Sequence, residues 1–331
     1  AHKMALLLLL IKCVIMMVLC FKICSFESDS DVNLEPTGYM RREYSLIKPF
    51  HALQYWEILG STMVSVDYLR LTPDERSKAG SVWNILPCYI RNWEIHINFK
   101  IHGHGTRLYG DGFAFWYSKE RALQGPVFGN KDYFTGLALF FDTYANQNGE
   151  HQHEHPYISA QVSNGSVHYD HDRDGTHTQL AGCSVNFRGV AGETHVAIRY
   201  LGSKKRLTVQ YDIDNDDSWK ECLDKYGVEM PTGYYFGLSA QTGDLSDNHD
   251  ILSLKFYELE NDEEEGDYSN IIPNSNESEP DREHVDDPSK PSTRREQAMN
   301  WLLVILLFVT FAGGLSFYFY QKKQNDMKRF Y

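Results

Sequence analysis

The sequence predicts an all-β fold, in which two sheets pack as a sandwich or jelly roll in one domain. From about residue 43 to residue 260, short segments alternate apolar and polar residues. Such alternation is typical of strands that bury one face, and the clusters of Gly, Asn and Asp between the segments predict turns. A run of about 215 residues suits one large sandwich, and no internal repeat is visible in it.

The clearest predicted strand spans residues 93–101, where apolar and polar residues alternate without a fault. Similar patterns predict strands at 113–117, 137–141, 157–162, 194–200, 207–211, 234–240 and 251–257. Only residues 216–226, which include Trp219, Cys222 and Leu223, resemble one or two helical turns. The sequence therefore predicts a single short helical segment in a domain otherwise built from strands.

The start of the chain predicts a secretory signal peptide over residues 1–26. A short basic segment precedes an apolar run that begins near Met4 and ends at Cys24. A first membrane-spanning segment is the alternative, but Lys12 and Lys22 lie inside the run, and such charges are costly in a bilayer. We therefore expect the β domain to enter the secretory pathway.

The other end of the chain predicts a membrane anchor. Residues 301–320 contain no charged side chain and are long enough to cross a bilayer as a helix, with a buried core helix as the alternative. Aromatic residues at both ends suit the membrane interfaces, and the basic tail, residues 321–331, favours the cytosolic side. The sequence thus predicts a single-pass type I membrane protein whose β domain is luminal.

The negative charge of the chain is concentrated in one segment. The net charge is −13, yet residues 258–290 alone hold 13 acidic residues against 2 basic ones. Because residues 261–300 also contain four prolines and few large apolar residues, they predict a solvated, disordered stalk; a low-affinity calcium buffer is the alternative. The predicted β domain, residues 43–260, is therefore nearly neutral, which argues against a nucleic-acid partner.

The six cysteines divide by position. Three lie in or beside the predicted signal peptide, and three lie in the β domain (Cys13, Cys20 and Cys24; Cys88, Cys183 and Cys222). An oxidising compartment favours one disulfide and one buried thiol. Cys183 and Cys222 flank successive polar segments and are the expected pair, whereas the surroundings of Cys88 suit burial. No CxxC motif is present to indicate redox chemistry or a zinc ribbon.

Four loops hold side chains that suit a cation or a sugar. Asp111 lies between two glycines before an aromatic strand, and Asp142 ends an apolar strand with Asn146 four residues later. Ca²⁺ takes several oxygen ligands, which carboxylates, backbone carbonyls and carboxamides provide, and an Asn amide also suits sugar hydroxyls. The other two loops are 169–175, with three Asp and one His, and 242–247. Each loop alone is more often a simple turn.

The order of the motifs in these loops carries more information than any one of them. They read Gly-Asp-Gly at 110–112, Phe-Asp-Thr-Tyr-x-Asn at 141–146, Tyr-Asp-His-x-x-Asp-Gly at 169–175, and Gly-Asp-Leu-Ser-Asp-Asn-His-Asp at 243–250. This order resembles the leguminous-type animal lectins, which are cargo receptors of the early secretory pathway. The resemblance covers residues 43–331 and implies a concanavalin-like sandwich with one Ca²⁺ beside a mannose site.

The resemblance also implies a role for individual residues. The metal ligands would be side-chain oxygens of Asp142, Asn146 and Asp174 and the backbone carbonyl of Tyr144. The mannose contacts would be Ser77, Asp111, Asn146 and His171, and an extended site for high-mannose arms would be lined by Gly243, Asp244 and Leu245. The Cys183–Cys222 pair matches the disulfide of the family. Of two N-glycosylation sequons, Asn164 matches a site of the family and Asn276 lies in the stalk.

Two features depart from the pattern of the resemblance. Ala145 stands where relatives commonly have proline, which loosens the loop but removes no ligand. The segment 147–155 is rich in histidine, with His151, His153 and His155 at alternating positions. Such a set can bind Zn²⁺, and a solvated surface loop is the alternative.

These observations predict a Ca²⁺-dependent lectin, not an enzyme, that binds high-mannose N-glycans on cargo glycoproteins. It would act in transport and quality control in membranes of the ER, the ER–Golgi intermediate compartment and the Golgi, and its tail would meet coat proteins. A lectin-fold chaperone without a transport role is one alternative. A sandwich-fold glycosidase is another, but it needs two carboxyl groups about 5 Å apart. Glu258 and Glu260 have a suitable spacing but lie at the entry to the stalk.

Overall fold

The computed structural model describes residues 38–50, 53–146, 153–260 and 268–275, all within the first of two compact units, residues 1–280. Over these ranges, no helix is long and apolar enough to cross a membrane. The predicted signal peptide, transmembrane helix, tail and second sequon lie outside the described residues, and so does most of the predicted stalk.

Two antiparallel sheets form the described part of the chain, as the sequence predicts. The strands in chain order are β1 (Tyr39–Met40), β2 (Trp56–Gly60), β3 (Met63–Val64), β4 (Leu69–Arg70), β5 (Ala79–Asn84), β6 (Asn92–His102), β7 (Gly112–Ser118), β8 (Thr135–Asp142), β9 (Tyr157–Asn164), β10 (Ala181–Ser184), β11 (Thr194–Leu201), β12 (Arg206–Asp212), β13 (Lys220–Tyr226), β14 (Val228–Glu229), β15 (Tyr235–Gln241), β16 (Asn248–Glu258) and β17 (Asn274–Ser275). Short 3₁₀ helices lie at Arg42–Tyr44 and His171–Arg173.

The eight-stranded sheet runs in the order β13-β12-β11-β6-β16-β4-β3, and β1 pairs with β16. The seven-stranded sheet runs in the order β10-β9-β8-β7-β15-β5-β2. Between the two sheets lies a core of large apolar side chains, many of them aromatic. Phe99 on β6, for example, packs edge-on against Phe113 and Phe141 of the opposite sheet, with ring centroids 4.9 and 5.2 Å apart. The inward-facing side chains of the two sheets therefore fill this core, as the sequence predicts.

The seven-stranded sheet is buried on both faces. Every residue of β7 is buried, and so is all of β8 except its first residue. A second apolar cluster, which includes Trp116, Phe140 and Tyr169, lies on the side of this sheet away from the main core. Loops must cover that face, and one of them is the predicted site loop 169–175. This explains why the sequence of these strands reads as nearly continuous apolar runs.

Eight predicted strands are confirmed, each within three residues of its predicted ends. The predicted helical turns at 216–226 are wrong, because Lys220–Tyr226 forms β13 and pairs with β12. Only Leu223 of this strand is fully buried, so its apolar pattern is too sparse to distinguish an edge strand from a helix. The sequence did not predict β1 to β5, β10, β14 or β17 as strands.

Part of the predicted stalk packs on the sandwich. Residues 274–275 form β17 and pair with β14. Tyr268 is held by Arg91, whose guanidinium lies 3.8 Å from the ring centroid and donates a hydrogen bond to the phenol oxygen. Backbone pairing and one aromatic contact therefore keep residues 268–275, which belong to the predicted stalk, on the domain.

The disulfide expected between Cys183 and Cys222 is present and joins the two sheets. Cys183 lies on β10, at the edge of the seven-stranded sheet, and Cys222 lies on β13, at the edge of the other. Cys88 is a buried free thiol, and burial raises its pKa to about 12. Both observations agree with the division made from the sequence.

Candidate functional site

Asp142 is the last residue of β8 and the centre of the candidate site. Strand pairing places it opposite Gly112 on β7, so the loops that leave these two strands lie side by side. The backbone N–H of Thr143 donates a 3.0 Å hydrogen bond to the carbonyl of Asp111. The Asp142 carboxylate is almost fully buried, and one of its oxygens, Oδ1, accepts a hydrogen bond from the Tyr144 backbone N–H.

Asp174 reaches the same place from a different part of the chain. It caps the short 3₁₀ helix His171–Arg173 in the left-handed conformation, which Asp adopts more readily than most residues. Its Oδ1 atom accepts two 3.0 Å hydrogen bonds, from the backbone and the side chain of Asn146. Two buried carboxylates and a carboxamide therefore converge, although they are up to 32 positions apart in the sequence.

A histidine that the sequence analysis placed outside the site lies between these carboxylates. His155 Nε2 is 3.7 Å from Asp142 Oδ2 and 3.9 Å from Asp174 Oδ2. One donor atom from each of the three side chains lies within 4.8 Å of the others, which is the spacing of a potential metal site. The register of β8 and β9 explains this placement, because Asp142 pairs with Tyr157, only two residues after His155.

The electrostatics of the site favour a cation. Burial raises the pKa of the Asp142 carboxyl, and the nearby Asp174 charge adds to the effect. Burial and the negative charges of Asp142 and Asp244 raise the pKa of Asp111 to about 6. Because a divalent cation would offset this concentration of negative charge, the donor set fits Ca²⁺, whose ligands are mainly carboxylate, carbonyl and amide oxygens.

Two of the residues expected to contact a sugar, Gly243 and Ser77, lie close to Asp111 or to each other. A Cβ added to Gly243 would lie 3.3 Å from Asp111 Oδ2, so glycine allows these two loops to approach closely. Gly110 lies against the side chains of Tyr144 and Leu245. The Ser77 backbone N–H donates a 3.0 Å hydrogen bond to the Gly243 carbonyl. The loops that carry Asp111, Gly243 and Ser77 therefore lie close together.

His171 offers an unsatisfied polar atom at the same end of the sheet. Its ring packs edge-on against Tyr169, with centroids 4.7 Å apart, and lies 6.0 Å from the Phe128 ring. The Nε2 atom of His171 is buried and has no hydrogen-bond partner within the described part of the chain. Such an atom needs a polar partner, which a sugar hydroxyl can provide.

The residues that follow the 243–245 loop are held by one buried ion pair and one hydrogen bond that the sequence analysis did not find. Arg188 forms a two-pronged contact of 2.7 and 2.8 Å with Asp247, whose side chain is fully buried. Ser246 donates a hydrogen bond to Asp74. No local sequence signal links Arg188 to Asp247, because the two residues are 59 positions apart and belong to different segments.

Comparison with known proteins agrees with this geometry. Residues 37–266 match the legume-like lectin family, which is more than half of the chain. The chain belongs to the legume-like lectin family. The vesicular integral-membrane protein VIP36 of Homo sapiens is 45% identical over 317 residues, covering 91% of this chain and 88% of that protein. The VIP36-like protein of Mus musculus is 43% identical and covers 88% of this chain and 86% of its own length.

Solved structures of this lectin family share the fold. The exoplasmic, luminal domain of VIP36, crystallised with Ca²⁺ and dimannose, superimposes with a TM-score of 0.69 at 49% identity. The match covers 72% of this chain and 98% of that domain. The predicted concanavalin-like sandwich is therefore confirmed, and the relatives at this level of identity are lectins rather than enzymes.

Proposed function

We propose that this protein is a Ca²⁺-dependent lectin that binds high-mannose N-glycans. The observation that carries the proposal is the convergence of Asp142, Asn146 and Asp174 beside Asp111 and Gly243 at one end of the seven-stranded sheet. Support comes from the VIP36 luminal domain, which has been crystallised with Ca²⁺ and mannose, with Ca²⁺ and dimannose, and with Ca²⁺ and Man3GlcNAc.

The cation would be held by side-chain oxygens of Asp142, Asn146 and Asp174 and by the backbone carbonyl of Tyr144. Asn146 Nδ2 donates a 3.0 Å hydrogen bond to Asp174 Oδ1, which holds the Asn146 carboxamide beside the Asp174 carboxylate. Bound Ca²⁺ would supply positive charge to the buried carboxylates and hold the 142–146 loop in one conformation. The exposed Asn146 side chain would then meet the sugar in a fixed orientation, which lowers the entropy cost of binding.

The sugar would bind between three loops. The Asp111 carboxylate accepts hydrogen bonds from hydroxyl groups, and the buried Nε2 of His171 provides a second polar contact. Ser77 would contribute to the same mannose site. Gly243 and the exposed Asp244 are well placed to line an extension of the site, which suits the longer arms of high-mannose glycans.

We base the proposed cellular role on the relatives in the legume-like lectin family. We infer that the protein acts as a cargo receptor for glycoproteins in membranes of the early secretory pathway, with its lectin domain luminal and its basic tail contacting coat proteins. The proposal is supported by the names of the relatives, one of which is a vesicular integral-membrane protein, and by the predicted membrane span at 301–320. N-glycosylation is proposed at Asn164, which is exposed at the end of β9, and at Asn276.

A glycosidase is disfavoured by the surroundings of its candidate acids. Glu258 ends β16 on the eight-stranded sheet and forms a 2.5 Å ion pair with Arg41, whereas Asp142 ends β8 on the seven-stranded sheet. The site residues described above would bind and orient a ligand. Among them, Asp142 is needed as a cation ligand and Asp111 as a hydrogen-bond acceptor for the sugar. We therefore propose binding without turnover.

The Asn146→Ala variant of the full-length protein in detergent tests the proposal. Because Asn146 contacts both the cation and the sugar, the variant should lose Ca²⁺ affinity and high-mannose binding together, by at least tenfold each, while its circular dichroism stays unchanged. The exposed Asn270→Ala variant is the matched control. Isothermal titration with Ca²⁺ and a glycan-binding assay, with and without EDTA, provide the readouts. Glycan binding that persists in EDTA would refute the metal dependence, and full binding by the Asn146 variant would refute the site.

A further inference from the structure

We propose that the stalk end of the sandwich binds the interface of a zwitterionic phospholipid bilayer through three exposed tyrosines and an isoleucine. The stalk end is the end at which β16 finishes with Glu258, close to the start of the predicted stalk. The residues of this surface are Tyr39, Tyr89, Tyr226 and Ile272. The inference rests on the proposed membrane anchor at 301–320, but it does not depend on sugar binding.

Strand pairing separates the stalk end from the end that holds the candidate site. β16 begins just after the 243–245 loop of that site and finishes at the stalk end with Glu258. The register places the first residues of β6 and β12 and the last residues of β11 and β13 at the stalk end as well. On the other sheet, β8 and β15 finish at the site end with Asp142 and Gln241, so their first residues lie at the stalk end.

All five exposed tyrosines of the described ranges lie at the stalk end. Each is within three residues of a strand terminus there, and they are Tyr39, Tyr55, Tyr89, Tyr133 and Tyr226. Tyr39, Ile272 and Tyr89 have the three largest exposed fractions among the large apolar and aromatic residues described, 77, 70 and 68%. Tyrosine is enriched where a bilayer meets water, because the ring enters the apolar layer while the hydroxyl stays hydrated. The distribution of exposed tyrosine therefore favours a bilayer at this end.

The proposed surface follows the end of the eight-stranded sheet. Tyr226 ends β13 at one edge of the sheet, and Tyr39 pairs with the last residue of β16. Tyr89 lies three residues before β6, and Ile272 lies on the 268–275 segment, which pairs with β14. Five strand spacings of about 4.8 Å place β13 and β1 about 24 Å apart. A bilayer can contact residues spread over this width at once, whereas an extended peptide would follow a single strand edge.

Two exposed tyrosines are not part of the surface. Tyr55 and Tyr133 lie next to β2 and β8 of the seven-stranded sheet. Asn164 pairs with Thr135, two residues after Tyr133, so the glycan proposed at Asn164 would lie near the Tyr133 ring. The surface is therefore restricted to the eight-stranded sheet and to the 268–275 segment.

The charges near the surface favour a zwitterionic lipid. Lys204 and Lys205 are exposed in the turn between β11 and β12, and long basic side chains of this kind can reach lipid phosphates. Lys205 also pairs with Glu229. The acidic run that begins at Glu258 would be repelled by anionic lipids. A phosphatidylcholine headgroup carries both charges and accommodates both features.

The length of the following chain keeps a bilayer within reach of this surface. Residues 276–300 separate the end of β17 from the predicted span. A flexible segment of about 25 residues has a root-mean-square end-to-end distance of about 25–30 Å and a fully extended length of about 85 Å. Because such a tether raises the effective concentration of its two ends to the millimolar range, weak contacts from four side chains suffice for docking.

The test measures how fast tyrosines of the full-length chain react in hydroxyl-radical footprinting with mass spectrometry. The chain is compared in phosphatidylcholine nanodiscs and in an amphipathic polymer without lipid. We expect Tyr39, Tyr89 and Tyr226 to react at least fivefold more slowly in nanodiscs than in the polymer. Tyr144, which is half-buried at the site end, should change less than twofold. Because aromatic insertion rather than charge holds the surface, the protection should persist in 500 mM NaCl.

A charged substitution tests the surface itself. Tyr89→Asp should raise the reaction rates of Tyr39 and Tyr226 in nanodiscs at least threefold, because a carboxylate does not enter the interface. The matched control is Leu108→Asp, in the loop after β6 at the site end, where the parent side chain is similarly exposed at 64%. It should leave the protection unchanged. Tyr89→Ser, which removes the ring without adding a charge, replaces the Asp variant if circular dichroism shows that the latter does not fold.

The outcomes separate this inference from the proposed functions. Equal rates in the two media refute it: fast rates leave the surface uncovered, and slow rates mean that another part of the chain or a second copy covers it. Protection that survives Tyr89→Asp refutes the role of these side chains. In each of these cases the anchor stands, because the chain has entered the nanodiscs. A chain that does not enter them refutes the anchor and this inference together. Glycan binding, measured separately, decides the lectin function alone.

Discussion

Burial of His249 should make the fold sensitive to mild acid. This residue lies on β16 and is 0% exposed. Its Nδ1 lies 2.6 Å from the Thr72 hydroxyl, and its Nε2 has no hydrogen-bond partner among the described residues. Burial lowers the pKa of His249 to about 3; the charge of Asp250 opposes this effect, and that of Arg188 adds to it. The ring is therefore neutral in the folded chain at any mildly acidic pH.

The sign of the effect follows from proton uptake by the unfolded chain. An unfolded histidine has a pKa of about 6.5, so below that pH the unfolded chain binds a proton that the folded chain excludes. The free energy of unfolding should then fall as the pH drops from about 6.5 towards 3, by up to about 1.4 kcal/mol per pH unit. Between pH 7.5 and pH 5 the loss attributable to His249 comes to about 2 kcal/mol.

The variant His249→Asn tests this reasoning, because a neutral amide cannot take up the proton. Its baseline stability will differ from that of the parent, so the informative quantity is the change between pH 7.5 and pH 5. We expect that change to be about 2 kcal/mol smaller in the variant. The assay is urea unfolding of residues 38–275, followed by tryptophan fluorescence with a chelator present to remove metal effects. The separately crystallised luminal domain of the relative supports using this segment alone.

A control variant, Asn270→Ala, replaces an exposed side chain that carries no titratable group and should keep the pH dependence of the parent. If the parent and His249→Asn lose the same stability, to within about 0.5 kcal/mol, the assignment of the acid sensitivity to this buried ring is refuted.

Three further predictions concern the disulfide, an ion pair and the free thiol. Replacing Cys183 and Cys222 by Ser opens a loop with a sequence separation of 39 residues; urea unfolding should show a loss of about 4 kcal/mol. Arg188→Met leaves the buried Asp247 carboxylate unpaired and should cost about 3–5 kcal/mol, and Arg188→Met with Asp247→Leu should recover part of it in the same assay. Because burial raises the pKa of Cys88 to about 12, Ellman's reagent should leave this thiol unmodified until urea unfolds the domain.

The strands that the sequence predicted are those whose apolar residues reflect burial, either on one face or on both. On β6, Ile95, Ile97, Phe99 and Ile101 are all fully buried, so the pattern along the strand reflects the core directly. The strands that the sequence did not predict include some with little apolar content of their own. β13 lies at a sheet edge and buries one residue fully, and β17 is held by pairing and by its neighbour Tyr268 rather than by apolar content.

The sequence likewise predicts some residues of the candidate site and misses others. Asp111, Asp142 and Asp174 belong to motifs in a recognisable order, and the structure brings their loops together. The sequence shows His155 only as part of a histidine-rich segment. Its position beside Asp142 depends on the register of β9 against β8, which no local pattern encodes. The same holds for Arg188, whose partner Asp247 lies in another segment of the chain.

The hydrogen bonds between loops imply that cation and sugar binding are coupled. Strand pairing sets Gly112 opposite both Asp142 and Gln241, so the loops that follow β8 and β15 leave the sheet on either side of Asp111. Thr143 then bonds directly to the backbone of Asp111. A change that loosens the cation loop should therefore also displace the Asp111 carboxylate, although Asp111 is not itself a proposed metal ligand. In a double-mutant cycle, Asp142→Asn combined with Asp111→Asn should reduce glycan affinity by less than the sum of their separate effects. The reason is that Asp142→Asn already displaces the Asp111 carboxylate, which Asp111→Asn removes.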